Sequence, residues 1–139
     1  MDSLAAAEKE YRLALELEAD YSDAWFNLGN LTGKDNRPQE ALACFQKVLE
    51  LEGYSAGLGL KIARVYMDQA NFNKASEAYD KVLVTDKENI RALQGAADAQ
   101  WERGNRTAAA ALYRRTLDIS AANEIPVAEY IKERSRWQN

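Results

Sequence analysis

Ser22-Asp23-Ala24-Trp25-Phe26-Asn27-Leu28-Gly29-Asn30, followed by Ala41-Leu42-Ala43-Cys44-Phe45-Gln46-Lys47-Val48-Leu49, is the stretch that decides the fold. The same frame restarts at Ala56 and at Ile90, so the chain repeats itself three times at a period of thirty-four residues. In that frame Ala41, Ala75 and Ala109 share a column. Phe45, Tyr79 and Tyr113 follow four residues later, and Leu49, Leu83 and Leu117 four later again. A spacing of four keeps each set on one helix face. Gly29, Ala63 and Ala97 are predicted to face Ala41, Ala75 and Ala109, because two helices approach closely only where side chains are short. The aromatic column then fills the space between successive units. Each helix pair buries little alone, so stability comes from nearest-neighbour stacking. An ordinary bundle of similar helices does not account for three registers in phase.

Outward from that stretch, the expected helices run at about 22–33 and 38–51, 56–69 and 72–85, and 90–102 and 106–119. Pro38 suits a first helical turn, where its missing N–H costs nothing. Gly33-Lys34-Asp35-Asn36 and Arg103-Gly104-Asn105 are turn chemistry. Ser3 can cap a helix reaching about residue 18, with Leu4, Ala7, Tyr11, Ala14 and Leu15 at helical spacing. Ala7, Tyr11 and Ala14 match Ala41, Phe45 and Val48, so the chain opens in the middle of a repeat. A last helix from Pro126 to about Trp137 places Val127, Tyr130 and Ile131 at core spacing and Glu129, Lys132 and Glu133 outside, as a cap would.

The expected organisation is one domain, 1–139. It divides into a half repeat at 3–21, repeats at 22–55, 56–89 and 90–123, and a capping helix at 124–139. The first helix lacks a partner that would cover it, so Leu4, Tyr11 and Leu15 are expected to keep apolar surface exposed. Either a longer array continues there, which is the first expectation, or the edge meets another copy or another protein.

Composition narrows the function. Twenty-two acidic and eighteen basic residues give a net charge of −4 with the signs interspersed, which disfavours a nucleic-acid partner. Lys132, Arg134 and Arg136 make the end locally basic, but three charges on a terminal helix read as a solvated face. No apolar stretch approaches the roughly 18 residues that span a bilayer, so direct membrane insertion is not expected. Met1-Asp2-Ser3-Leu4 has no basic segment before an apolar run. The expectation is therefore no signal peptide and a cytoplasmic protein. Cys44 is the one cysteine and is expected to be a buried thiol.

No catalytic constellation is visible. Histidine is absent, which removes the commonest general base and metal ligand and any Ser-His or Cys-His pair. Gly57-Leu58-Gly59-Leu60-Lys61-Ile62 has two glycines of a dinucleotide loop, but Ile62 stands at the third and no strand precedes it. Asp80, Asp86, Asp98 and Glu102 lack the spacing of a calcium loop. Asn30-Leu31-Thr32 and Asn105-Arg106-Thr107 are glycosylation sequons by pattern only. The expectation is no cofactor, no metal and no enzyme activity.

The first unit, with Trp25, Leu28 and Gly29 on its first helix and Ala41, Phe45 and Val48 on its second, resembles the tetratricopeptide repeat family. The other units depart from it on the first helix: Gly59, Ile62, Ala63 and Tyr66, then Leu93, Ala96, Ala97 and Gln100. Gly53, Lys87 and Ala121 replace the family's proline between units. The resemblance covers nearly the whole chain. It implies an all-α, right-handed solenoid of antiparallel helix pairs, with the first helix of each pair lining a concave groove.

By the family's groove positions, the partner-binding residues would be Asp23, Phe26, Asn30 and Lys34 in the first unit and Leu60, Arg64, Met67 and Asp68 in the second. Arg91, Gln94, Asp98, Trp101 and Glu102 complete the set in the third. Phe26, Leu60, Met67 and Trp101 are large apolar side chains at positions the core does not require. They read as anchors for an extended segment or a helix, with charged neighbours fixing register. The alternative is that Phe26 and Trp101 pack against neighbouring helices or the cap.

The carboxylate clamp of some family members is incomplete. Phe26 and Leu60 stand where lysines would be, and Asp98 would repel a carboxylate. The expected function is a protein-binding scaffold for a peptide or protein segment, part of a larger assembly or longer repeat protein. Self-association through the first helix, or a targeting domain of a larger enzyme, are the alternatives.

Overall fold

A computed structural model describes residues 3–139. Among them the chain forms eight helices: α1 Ser3–Leu17, α2 Ser22–Lys34, α3 Pro38–Glu52, α4 Ala56–Asp68, α5 Phe72–Thr85, α6 Ile90–Glu102, α7 Arg106–Ala122 and α8 Glu129–Ser135. The caps follow local chemistry. Ser55, Asn71 and Asn89 accept hydrogen bonds from the backbone N–H groups of Leu58, Lys74 and Ala92, satisfying otherwise orphaned donors. Pro38 opens α3. Ser3 lies inside α1 rather than before it, and a cap one residue earlier falls outside the described residues. The last helix is shorter than 126–137, and α7 runs on past 119 to Ala122. Residues 123–128 are spent on the return that brings α8 back against α7.

One turn recurs at the period of the repeat. Asn36, Ala70 and Gly104 have positive φ, at 56°, 56° and 87°, and sit thirty-four residues apart. After each, the next N–H reaches five residues back: Arg37 to Thr32, Asn71 to Tyr66 and Asn105 to Gln100. This is the Schellman closure of a helix C-terminus, and it folds α3, α5 and α7 back beside α2, α4 and α6. The result is an α-solenoid of antiparallel helix pairs.

Between pairs, the aromatic column does the joining. Phe45 of α3 packs with Leu58 and Val65 of α4, Tyr79 of α5 with Ala92 and Ala96 of α6, and Tyr113 of α7 with Ile131 of α8. Small residues make room for the rings. Between pairs, a Cβ on Gly95 would overlap the Tyr79 ring; within the first pair, one on Gly29 would come 2.6 Å from Phe45 Cε1. Against the expected pairing of Gly29 with Ala41, the atoms nearest to Gly29 are those of the Phe45 ring. Gly29 receives the phenyl ring, and Gly33 is the glycine whose Cβ would meet Ala41, at 3.7 Å. In the next two pairs, Ala63 with Ala75 and Ala97 with Ala109 do share buried clusters.

At the open end α1 packs on α2 and buries none of its residues fully. Its most exposed apolar side chains are Leu4, Leu13 and Leu17, at 42%, 53% and 81%. Tyr11 and Leu15, expected to keep apolar surface exposed, are half-buried. Glu8 holds α1 in place: Arg37 donates to both of its carboxylate oxygens and Arg12 to one. Arg37 and Arg12 also reach Glu40 of α3, at 3.2 Å and 3.1 Å. Those guanidinium hydrogen bonds hold the Glu8 carboxyl at about 2, below its usual 4.5.

Two outcomes are expected. Ala70→Gly relieves a left-handed alanine and should raise stability by about 1 kcal/mol in urea denaturation. Because the folded-state pKa of Glu8 is depressed, its contribution is full above pH 4.5 and is lost as pH falls towards about 2. Hydrogen exchange in α1 should accelerate through that window, relative to the intrinsic rate, in the wild type and not in Glu8→Gln.

Candidate functional site

The first helices of the pairs, α2, α4 and α6, line a connected series of hollows. Between α4 and α6 lies one of about 300 Å³, walled by Leu60, Lys61, Arg64 and Met67 on one side and Arg91, Gln94 and Asp98 on the other, with Tyr79 and Gly95 beneath. A second, of about 260 Å³, lies between α2 and α4, with Asn30 and Lys34 facing Lys61, Arg64 and Asp68. The third opens towards α8 and shares Met67 and Asp98 with the first, adding Phe72, Glu102, Tyr130 and Arg134. Lys61 and Arg64 are common to the first two. The thirty-four-residue period causes this alignment, because it returns the same helix face to the same side in every unit.

The sequence-predicted residues divide accordingly. Asn30, Lys34, Leu60, Arg64, Met67, Asp68, Arg91, Gln94, Asp98 and Glu102 line these hollows; Asp23, Phe26 and Trp101 do not. Asp23 is exposed in the first turn of α2, where an acid complements the helix dipole. Phe26 turns inward, its ring 5.9 Å from that of Phe45. Trp101 packs edge-on to Tyr113 at 6.3 Å and carries the Arg106 and Arg134 guanidiniums at 4.4 Å and 4.7 Å. For Phe26 and Trp101 the packing alternative is the one the geometry favours.

Lys61, Phe72, Tyr130 and Arg134 were not among the expected groove residues. Lys61 had a visible signal, since it stands three residues before Arg64 on one helix face. Tyr130 and Arg134 had none, because their position depends on how α8 folds back.

Asp98 is the most heavily engaged side chain of the groove. Tyr113 donates to it at 2.5 Å and Tyr130 at 3.2 Å, and Arg134 lies 3.8 Å away. Gln94 donates to the Tyr130 hydroxyl at 3.0 Å. Burial is the largest influence on the Asp98 carboxyl and pushes its pKa up, against the opposing pull of the two phenols and Arg134. Burial with the adjoining carboxylate raises the Tyr113 phenol as well, so it stays a protonated donor. Asp98 is thus spent on holding α8.

The neighbouring cations differ. Arg64 pairs with Asp68 at 3.2 Å on an exposed face, a contact that contributes little. Lys34, Lys61 and Arg91 have no ion pair among the described residues.

No group of three or more His, Cys, Asp or Glu side chains converges as a metal site among the described residues, and no helix there is long and apolar enough to cross a membrane. The surface that remains can hold a ligand by shape, charge and apolar contact. Asp98→Ala should leave the Tyr113 hydroxyl without its acceptor, costing about 1–3 kcal/mol in chemical denaturation. It should also raise hydrogen exchange in α8 well before that in α4.

Two tetratricopeptide repeat family models match the chain, one over residues 60–124 and another over 22–53. Human protein O-mannosyl-transferase TMTC3 is 31% identical over 56% of this chain and 9% of that protein. The mouse protein of the same name is 34% identical over 47% of this chain and 7% of its own length. The chain therefore spans less than a tenth of the curated relatives it matches. Among solved structures, a crystal structure of MamA protein aligns with a TM-score of 0.77 at 23% identity, over 90% of this chain and 70% of that one. The Arabidopsis OM64 TPR domain aligns with a TM-score of 0.70 at 20% identity, over 83% and 91%. These likenesses carry the fold. With matched segments that together take in most of the helices and an architecture shared with solved repeat domains, the chain belongs to the tetratricopeptide repeat family.

Proposed function

We propose that this chain is a non-catalytic scaffold that holds a peptide or protein segment against the surface formed by α2, α4 and α6. The observation that carries the reading is the continuity of the hollows along those helices, with Leu60 and Met67 half-buried on their wall among Lys61, Arg64 and Arg91. Apolar side chains flanked by charged groups that packing does not consume are what segment recognition requires. Nucleic acid is disfavoured by the net charge of −4 and by Asp68, Asp98 and Glu102 along the same surface.

The chain acts, in this reading, as one module of a larger assembly or longer repeat protein. The much greater length of its curated relatives supports that placement. The mannosyl transfer named in those relatives is theirs; a match to 9% of such a protein is compatible with a targeting or recruiting segment.

A second reading, self-association through α1, is supported by the exposure of Leu4, Leu13 and Leu17. The two separate in one comparison. Leu60→Ala with Arg64→Glu, shown to keep its helical circular dichroism, should lose proteins that the wild type captures from its source lysate. Retention of the same set by both would defeat the groove reading. Mass that rises with concentration and falls for Leu13→Glu would establish the second reading, and a concentration-independent mass would remove it.

A further inference from the structure

We infer that the outer side of α1 is a two-fold docking face for a second copy of this chain, with the two α1 helices antiparallel, Leu13 against Leu13, and Lys9 of each paired with Glu16 of the other. The inference rests on the second reading above, self-association through α1, and deepens it by naming the face and the geometry.

The repeat itself singles out the face. A shallow hollow on the outer side of α1 is lined by Ala5, Glu8, Lys9, Arg12, Leu13 and Glu16. A separate one, lined by Ser3, Ala6, Ala7 and Glu10, contains the member of the Ala41, Ala75 and Ala109 column, which in the repeats faces the first helix of the pair. The two hollows share no residue. In α3, α5 and α7, each packed beside its first helix, the counterparts of Ala5, Lys9, Arg12, Leu13 and Glu16 are all exposed. The exposure of Leu13 is therefore independent of whether a helix precedes α1. Its counterparts are Lys47, Lys81 and Arg115, whereas Leu13 is apolar and 53% exposed. Leu17, one turn on and 81% exposed, extends it into an apolar strip of the kind that marks an interaction surface.

Charge identifies the occupant. Glu8 and Arg12 bind each other, Glu8 is also held by Arg37, and Arg12 reaches Glu40, so these two are spent within the fold. Lys9 and Glu16 have no ion pair among the described residues, and both are exposed. They stand four residues before and three after Leu13, about 6 Å and about 4.5 Å along the axis, and on the same flank of it. A two-fold axis at Leu13 reverses the second helix, which sets Lys9 within about 1.5 Å of the level of Glu16 of the partner subunit, twice over. Parallel helices would set lysine beside lysine and glutamate beside glutamate, so charge selects the antiparallel form. The anchoring of Glu8 by Arg37 holds the face in place before it is met. A contact one helix wide falls below the roughly 1,200 Å² of a standard interface, so the dimer is weak and reversible.

Sedimentation equilibrium of the full chain over a range of concentrations, at low and raised salt, tests this. The expected result is a mass that rises to two protomers and no further, with an affinity that falls severalfold as salt rises. Lys9→Glu and Glu16→Lys, each shown to keep its helical circular dichroism, should each weaken association by roughly tenfold, because like charges then oppose across the axis. An equimolar mixture of the two variants should recover it, since every facing pair is again of opposite sign. If Leu13→Glu abolishes association but the mixture recovers nothing, self-association through α1 stands and the antiparallel geometry falls. Mass that climbs beyond two protomers overturns the geometry as well, because a two-fold contact closes on itself. Mass independent of concentration removes both, and leaves the face to a different protein.

Discussion

The ring of Tyr79 occupies the space that a side chain on residue 95 would need, and the rest of the molecule depends on that contact and its counterparts. Gly29 beneath Phe45, and Gly59 against Tyr54 and Val82, make similar room inside the stack, though Gly29 with Phe45 and Gly59 with Val82 do so within a pair rather than between pairs. A helix pair in this chain cannot cover its own apolar face, so its ring must be seated in the neighbouring pair. Where the receiving position is glycine the helices come close. The pitch of the stack follows, and with it the line of hollows on α2, α4 and α6. The groove is a by-product of how the aromatic column is accommodated behind it.

The two ends solve the problem of a stack differently. At the C-terminal side α8 packs back on α7. Ile131 is fully buried, and Tyr130 and Arg134 converge with Tyr113 on Asp98. This packing draws on side chains at groove positions: Gln94 and Asp98 are tied to α8, and Trp101 lies under Arg134. The open portion of the groove therefore shifts towards α2 and α4, where cations lack internal partners. At the other end α1 is held by polar contacts through Glu8 and keeps an apolar outer face. Among the described residues, α8 is anchored by full burial of Ile131, whereas α1 packs only half-buried side chains on α2 and adds the Glu8 contacts.

Much of the local structure was legible because it is encoded locally. The period, the helix spans to within a few residues and Pro38 in the first turn of α3 follow from side-chain spacing and backbone preference. The recurring turn was only half visible. Gly104 and Asn36 are residues that favour positive φ, but Ala70 adopts the same conformation because the repeat geometry imposes it. The groove positions were legible as a set, since a fixed period presents a fixed face. Individual members were not. Nothing in the spacing distinguishes Phe26, which turns inward to Phe45, from Leu60, which lines the hollow.

The sequence by itself determined the fold class, the pairing of helices and the family, because these depend on periodicity and on the size of side chains a few residues apart. Tertiary structure alone decided which charges remain open. Asp98 is taken up by Tyr113, Tyr130 and Arg134, fifteen to thirty-six residues further on, and Glu8 by Arg37, twenty-nine residues away. Neutralisation between charges is a matter of distance in space, falling off within several ångströms, and no reading along the chain fixes it until α1 and α8 have been set against the stack.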